Sequence, residues 1–235
     1  MSDLTATKFI NELKSYQSDR EKEKIRRYFK TDDPKNSVIG VRMKLTFDLA
    51  KKYMGMPVGE IIKLLESPFY EARMGAVSIM DFQVRANNVS EEHRRELFEL
   101  YLNKHDRLNS WDFMDRAAPR VIGSYLYDYN KPREILYKLA VSENPWERRT
   151  AIVSTAWFIR KGELDHTFKI AEILLDDDHE YVQKAIGTWV RHAGKQDQNK
   201  LLAFLEKHAG QMDRKTLTTA MENLDKEQKQ YFRNK

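Results

Sequence analysis

The sequence predicts an all-α fold in which paired helices stack into a solenoid, and three observations lead there. Apolar residues return at helical spacing through nearly the whole chain. No stretch alternates apolar and polar residues between hairpin turns. Short breakers punctuate the pattern at Asp33-Pro34, Met56-Pro57, Ser67-Pro68, Asn87-Asn88, Asn130-Lys131-Pro132, Asn144-Pro145, Gly162 and Gly194-Lys195, spacing helices of about ten to eighteen residues.

In order, the run DREKEKIRRYFK (19–30) reads as a solvated amphipathic helix, followed by FYEARMGAVSIMDFQV (69–84) and EEHRRELFELYL (91–102). The next helix starts at Asn109 or Ser110 as N-cap, with Asp112 at the positive end of its dipole. Trp111 and Asp115 are i, i+4 and share one face of it. Then come KPREILYKLAV (131–141) and NPWERRTAIVSTAWFIRKG (144–162), the latter with Trp157 and Phe158 expected in the core, and a helix through EYVQKAIGTWVRHAGK. No long linker interrupts the series, so a single domain over 1–235 is expected.

Composition sets bounds on function. The chain has 235 residues, 41% of them hydrophobic, enough for a sizeable core. Lys and Arg total 41 against 36 acids, a net charge of +5 that leans toward polyanions. There are no cysteines, which excludes disulfides, thiolate metal sites and Cys nucleophiles. The N-terminus carries no apolar signal region, and AIVSTAWFI (151–159) is too short to span a bilayer, so a soluble cytoplasmic protein without membrane partners is expected.

Three segments overlay: SPFYEARMGAVSIM from Ser67, ENPWERRTAIVSTA from Glu143 and DDHEYVQKAIGTWV from Asp177. Their separations of 76 and 34 residues fit two periods and one, and SWDFMDRAAPRVIG, near 111, fills the gap. The fold expected is therefore an α-solenoid of HEAT-like (ARM-type) repeats with a concave basic groove. Second helices would place Arg73, Trp111, Asp115, Trp146, Arg148, Arg149, Lys184, Trp189, Arg191 and Lys195 along it. Cations interleaved with rings suit nucleic acid, since cations meet phosphates and rings offer stacking faces. A helical array also suits a protein-binding scaffold, and that reading stays open. The glycines form no phosphate cradle, and the histidines show no i, i+4 metal pair. No cofactor and no metal are expected, and Asp115 is the one distinctive candidate for chemistry.

HDRLNSWDFMDRAAPRVIGSYL, SENPWERRTAIVSTAWFIRKGELDHTFKIAEILL and EYVQKAIGTWVRHAGK, with collinear sequence from about Ile25 to Phe232, resemble the AlkD-like, HEAT-like-repeat family of bacterial DNA alkylation repair proteins. The resemblance implies a fold that wraps duplex DNA and, in the family's glycosylases, hydrolyses the N-glycosidic bond of cationic N3- or N7-alkylpurines without a metal. It implies that Asp115 is the catalytic carboxylate, Trp111 its neighbouring ring, and Arg149 the residue that holds the DNA backbone. One departure is visible: after Ala185-Ile186-Gly187 the family's second Trp is replaced by Thr188, and Trp189 follows one place later, turned by about 100° on a helix. MDRKTLTTAMENL is also less basic than the family's usual segment. The pattern is closer to paralogues that bind branched or distorted DNA without base excision. The expectation is a monomeric DNA-binding protein on damaged, distorted or branched duplex, associated with the nucleoid, with weak or absent excision; glycosylase and scaffold are the alternatives.

Overall fold

The computed structural model describes residues 4–27, 29 and 36–235, and among them the chain is helical apart from turns and one isolated bridge between Ser37 and Phe69. The break expected at Asp33-Pro34 lies outside the described residues. The chain groups into two compact units, Met1–Asn109 and Ser110–Lys235.

The first unit holds α1 (Ala6–Ser15), α2 (Asp19–Arg26), α3 (Met43–Lys52), α4 (Val58–Leu65), α5 (Tyr70–Arg85) and α6 (Glu91–Asn103). Helices α1, α3 and α4 pack on α5, which is buried on nearly every side. That includes polar Glu71, which is fully buried, so its charge must be satisfied within the protein. The backbone N–H groups of Ile39, Gly40 and Val41 do this, donating to the Glu71 carboxylate at 3.0, 2.7 and 3.3 Å. Gly40 sits at φ +98° with a would-be Cβ 2.6 Å from the Ser18 carbonyl oxygen, so only glycine fits the turn.

The second unit holds α7 (Trp111–Ala118), α8 (Tyr125–Asp128), α9 (Glu134–Ala140), α10 (Pro145–Arg160), α11 (Asp165–Ile173), α12 (Glu180–Gln196), α13 (Gln198–His208), α14 (Arg214–Ala220) and α15 (Lys226–Arg233). Here α10 is central, with α7, α9, α11 and α12 against it, and α12 in turn carries α13 and α14. Asn144 caps α10 by accepting the Trp146 N–H at 3.0 Å, and Pro145 occupies the first helical position, where no donor is lost. Between α7 and α8 the chain winds as a π-helix over Pro119–Ser124. Pro119 has no N–H to offer the Asp115 carbonyl one turn back, which disfavours a continued α-turn. The widened turn brings Gly123 against α10, where a Cβ would stand 2.3 Å from the Ser154 carbonyl oxygen.

Two sequence expectations need correction. The helix read from Lys131 begins at Glu134, because Asn130 turns at φ +47° and Pro132 follows it. The break at Gly194-Lys195 is absent: α12 continues to Gln196, and Asp197 caps α13 by accepting the Lys200 N–H at 3.0 Å. Gly194 is a packing residue, with a would-be Cβ 2.5 Å from the Leu201 side chain.

Candidate functional site

Trp111 opens α7 and Asp115 follows a helical turn later, so the two project from one side of it. Arg149, from α10, closes on both. Its Nη2 donates to Asp115 Oδ1 at 2.7 Å, its Nε to the Trp111 carbonyl at 3.4 Å, and its Nη1 to the Tyr181 carbonyl at the start of α12. One guanidinium thus braces the first turns of α7 and α12 and anchors the carboxylate. Arg149 is only 5% exposed, so its side chain faces protein.

The Asp115 side chain is 39% exposed, leaving it open to a ligand. Burial of the remainder raises its pKa above the ordinary 3.8; the Arg149 charge and hydrogen bond oppose this without cancelling it.

Aromatic rings stand beside this pair. The Trp111 and Tyr181 centroids are 6.3 Å apart with 21° between planes, and Tyr181 and Trp146 are 6.0 Å apart at 30°. His179 meets Trp146 edge-on at 5.0 Å. Burial first, with Arg148 and Arg149 adding and Asp177 opposing, lowers the His179 pKa below 6.5, so its ring is neutral at pH 7. Lys184 Nζ sits 5.0 Å from the Tyr181 centroid and 2.6 Å from Glu180 Oε1.

The structure brings together Trp111, Asp115, Trp146, Arg149 and Lys184, sets Arg148 beside His179 through Asp177, and places Arg73, Trp189, Arg191 and Lys195 elsewhere. Arg73, in the first unit, is 1% exposed and donates to Asn36, the Arg107 carbonyl (3.1 Å) and Asn109 Oδ1 (3.2 Å); its expected place among solvent-facing cations is corrected to a tie within the fold. Arg148 is likewise engaged, gripping Asp177 through Nε at 2.5 Å and Nη2 at 3.0 Å and reaching the Ser142 and Glu143 carbonyls. Arg149 holds protein backbone at Trp111 and Tyr181, where a grip on the DNA backbone was expected. Arg191 pairs with Glu222. Trp189, half-buried, packs with Phe168 against Ile159, Leu164 and Ala193 at the edge of the core and lies 5.2 Å from the His192 ring. Lys195 is exposed near the end of α12. Thr188 is partly exposed, its hydroxyl donating to the Lys184 carbonyl at 2.8 Å.

Tyr181 and His179 were missed. The signal was present: Trp111, Trp146 and Tyr181 recur every 35 residues, as do the preceding turn residues Asn109, Asn144 and His179. Overlaying the segments at 34 set Glu180 opposite Trp146 and hid the third ring. Among the described residues no group of His, Asp or Glu is arranged to hold a metal ion, and no helix is long and apolar enough to cross a membrane.

Comparison with known proteins agrees with the helical architecture. A solved structure described as a predicted DNA alkylation repair enzyme from Enterococcus faecalis is similar, with a TM-score of 0.68 and 17% identity, over 89% of this chain and 97% of that one. No curated protein matches in sequence. The match to the sequence family of DNA alkylation repair enzymes runs over residues 9–224, most of the chain. The chain therefore belongs to the DNA alkylation repair enzyme family.

Proposed function

We propose that this protein is an AlkD-like repair protein that recognises damaged or distorted DNA at the Asp115 site, with slow or absent base excision. The observation that carries the reading is a half-open carboxylate, braced by Arg149 and set beside partly exposed rings, in a chain of an alkylation-repair family. A purine alkylated at N3 or N7 is already cationic and needs no general acid to leave. The sugar gains oxocarbenium character as it departs, and a fixed carboxylate stabilises that charge. Stabilisation requires the sugar to be held against the carboxylate, and misplacement by about 1 Å costs on the order of a hundredfold. Where the resemblance would set a second Trp against the nucleotide, Thr188 is a short side chain that bonds back to the Lys184 carbonyl, and Trp189 packs with Phe168 against Ile159, Leu164 and Ala193.

The test is single-turnover release of N7-methylguanine from duplex DNA, run beside binding titrations on intact duplex and four-way junctions. Wild-type release is expected to be slow. Thr188→Trp should raise it, and adding Asp115→Asn should abolish the gain. Robust wild-type release that disappears in Asp115→Asn would overturn the slow-excision reading and establish a glycosylase. One observation favours that second reading: Tyr181 already supplies a ring nearly parallel to Trp111.

A further inference from the structure

We infer that Trp111, Tyr181 and Trp146 form a ladder on which bases of an unpaired DNA segment stack beside Asp115, so that DNA with extrahelical nucleotides is the preferred ligand. The ladder is a product of the repeat. Trp111 is the first residue of α7, and Trp146 and Tyr181 are the second residues of α10 and α12, at intervals of 35 in sequence. Each repeat contributes one ring from the opening turn of its helix. The brace from Arg149 to the Trp111 and Tyr181 carbonyls fixes the backbone beneath two of the rings.

Ring geometry favours unpaired bases. All three rings are partly exposed, and centroid distances of 6.3 and 6.0 Å with small interplanar angles describe offset pairs, which leave part of each face uncovered. Stacked bases in a duplex rise about 3.4 Å per step. Rings some 6 Å apart are out of step with that rise, so neighbouring nucleotides can take one ring each only when drawn out of the stack. Aromatic platforms beside cations bind unpaired strands in this way, tolerating any base because each has a π-face. One exposed cation stands at the ladder. Exposed Lys184 lies over Tyr181, its Nζ 5.0 Å from the ring centroid, where it can meet a phosphate. Three acids here are paired, Asp177 with Arg148, Glu180 with Lys184 and Asp115 with Arg149, while Asp178 stands exposed 3.7 Å from Arg148.

This inference rests on the DNA-repair reading above, and the test separates the two. Full-length protein is titrated with a plain duplex and with the same duplex carrying a three-nucleotide bulge that contains 2-aminopurine. The expected result is a preference of about tenfold or more for the bulge, with the fluorescence quenched on binding as the base stacks. Tyr181→Leu, which keeps an apolar side chain without a π-face, should lose the preference and the quenching; Tyr181→Phe should keep both. If Tyr181→Leu does not fold, Trp146→Leu replaces it. Duplex binding with no preference for the bulge, unquenched wild-type fluorescence, or a preference that survives the leucine variant would each overturn the ladder alone. Failure to bind any DNA would overturn the repair reading and the ladder with it.

Discussion

Breaking the Asp115–Arg149 pair from its two ends should have opposite effects on stability. Arg149→Met leaves a carboxylate that burial already disfavours without its counter-charge. Removing one partner of a fully buried pair costs about 3–5 kcal/mol, and of an exposed one about 0–1. With Arg149 5% exposed and the Asp115 side chain 39% exposed, an intermediate cost of about 2 kcal/mol follows, a fall in Tm of roughly 4–8 °C for a chain of this size. Asp115→Asn should leave Tm unchanged or raise it. The folded state holds the Asp115 proton more tightly than the unfolded chain does, so at pH 7 the ionised form is the costly one. The wild-type deficit relative to Asp115→Asn should accordingly shrink as pH falls through the raised pKa toward 3.8. In the double variant part of the Arg149→Met loss should be recovered, about 1 kcal/mol of coupling. Thermal unfolding followed by tryptophan fluorescence reads the right unit, because Trp111, Trp146, Trp157 and Trp189 all lie within residues 110–235. Asp115→Asn losing as much stability as Arg149→Met at pH 7 would refute the reasoning, since the charge would then be holding the fold together.

Glycine substitutions should separate close packing from open helix. Gly187→Ala puts a Cβ 2.8 Å from the Thr216 carbonyl oxygen and 3.0 Å from Thr219 Cβ, forcing α12 from α14 at a cost of about 1–3 kcal/mol in chemical denaturation, whereas Gly59→Ala meets nothing within 4 Å and should stabilise by up to about 1 kcal/mol. DNA affinity should fall with salt, and Lys184→Ala should reduce the slope of log K against log salt by roughly 0.9 if Lys184 meets one phosphate. Arg73→Ala should leave that slope unchanged and lower Tm in its place; a slope reduced equally by both would show that Arg73 leaves its partners to reach DNA.

Helix positions were readable because helical periodicity and breakers are local properties. Asn144-Pro145 ends one helix and starts another whatever lies around it, and the i, i+4 spacing of Trp111 and Asp115 puts them on one side of any helix that contains them. The one break misread, at Gly194, shows the limit: a glycine that ends a helix and one that admits a neighbouring leucine look alike until Leu201 is seen against it. The cations misled for the same reason. Arg73, Arg148 and Arg149 read as a row of phosphate contacts, yet each finds protein partners 29 to 38 residues away, at Arg107 and Asn109, Asp177, and Asp115 and Trp111.

By itself, then, the sequence determined the all-helical class, the repeat, and the shared face of Trp111 and Asp115, because each follows from spacing along one helix or from recurrence along the chain. Only the tertiary structure decided that Arg149 braces Asp115 from within, that Trp189 joins the core edge, and that Tyr181 takes its place beside Trp111. Periodicity says which side chains look the same way, whereas the helix they look toward is set by packing between distant segments, where a rotation of one residue, about 100°, exchanges a site residue for a core one.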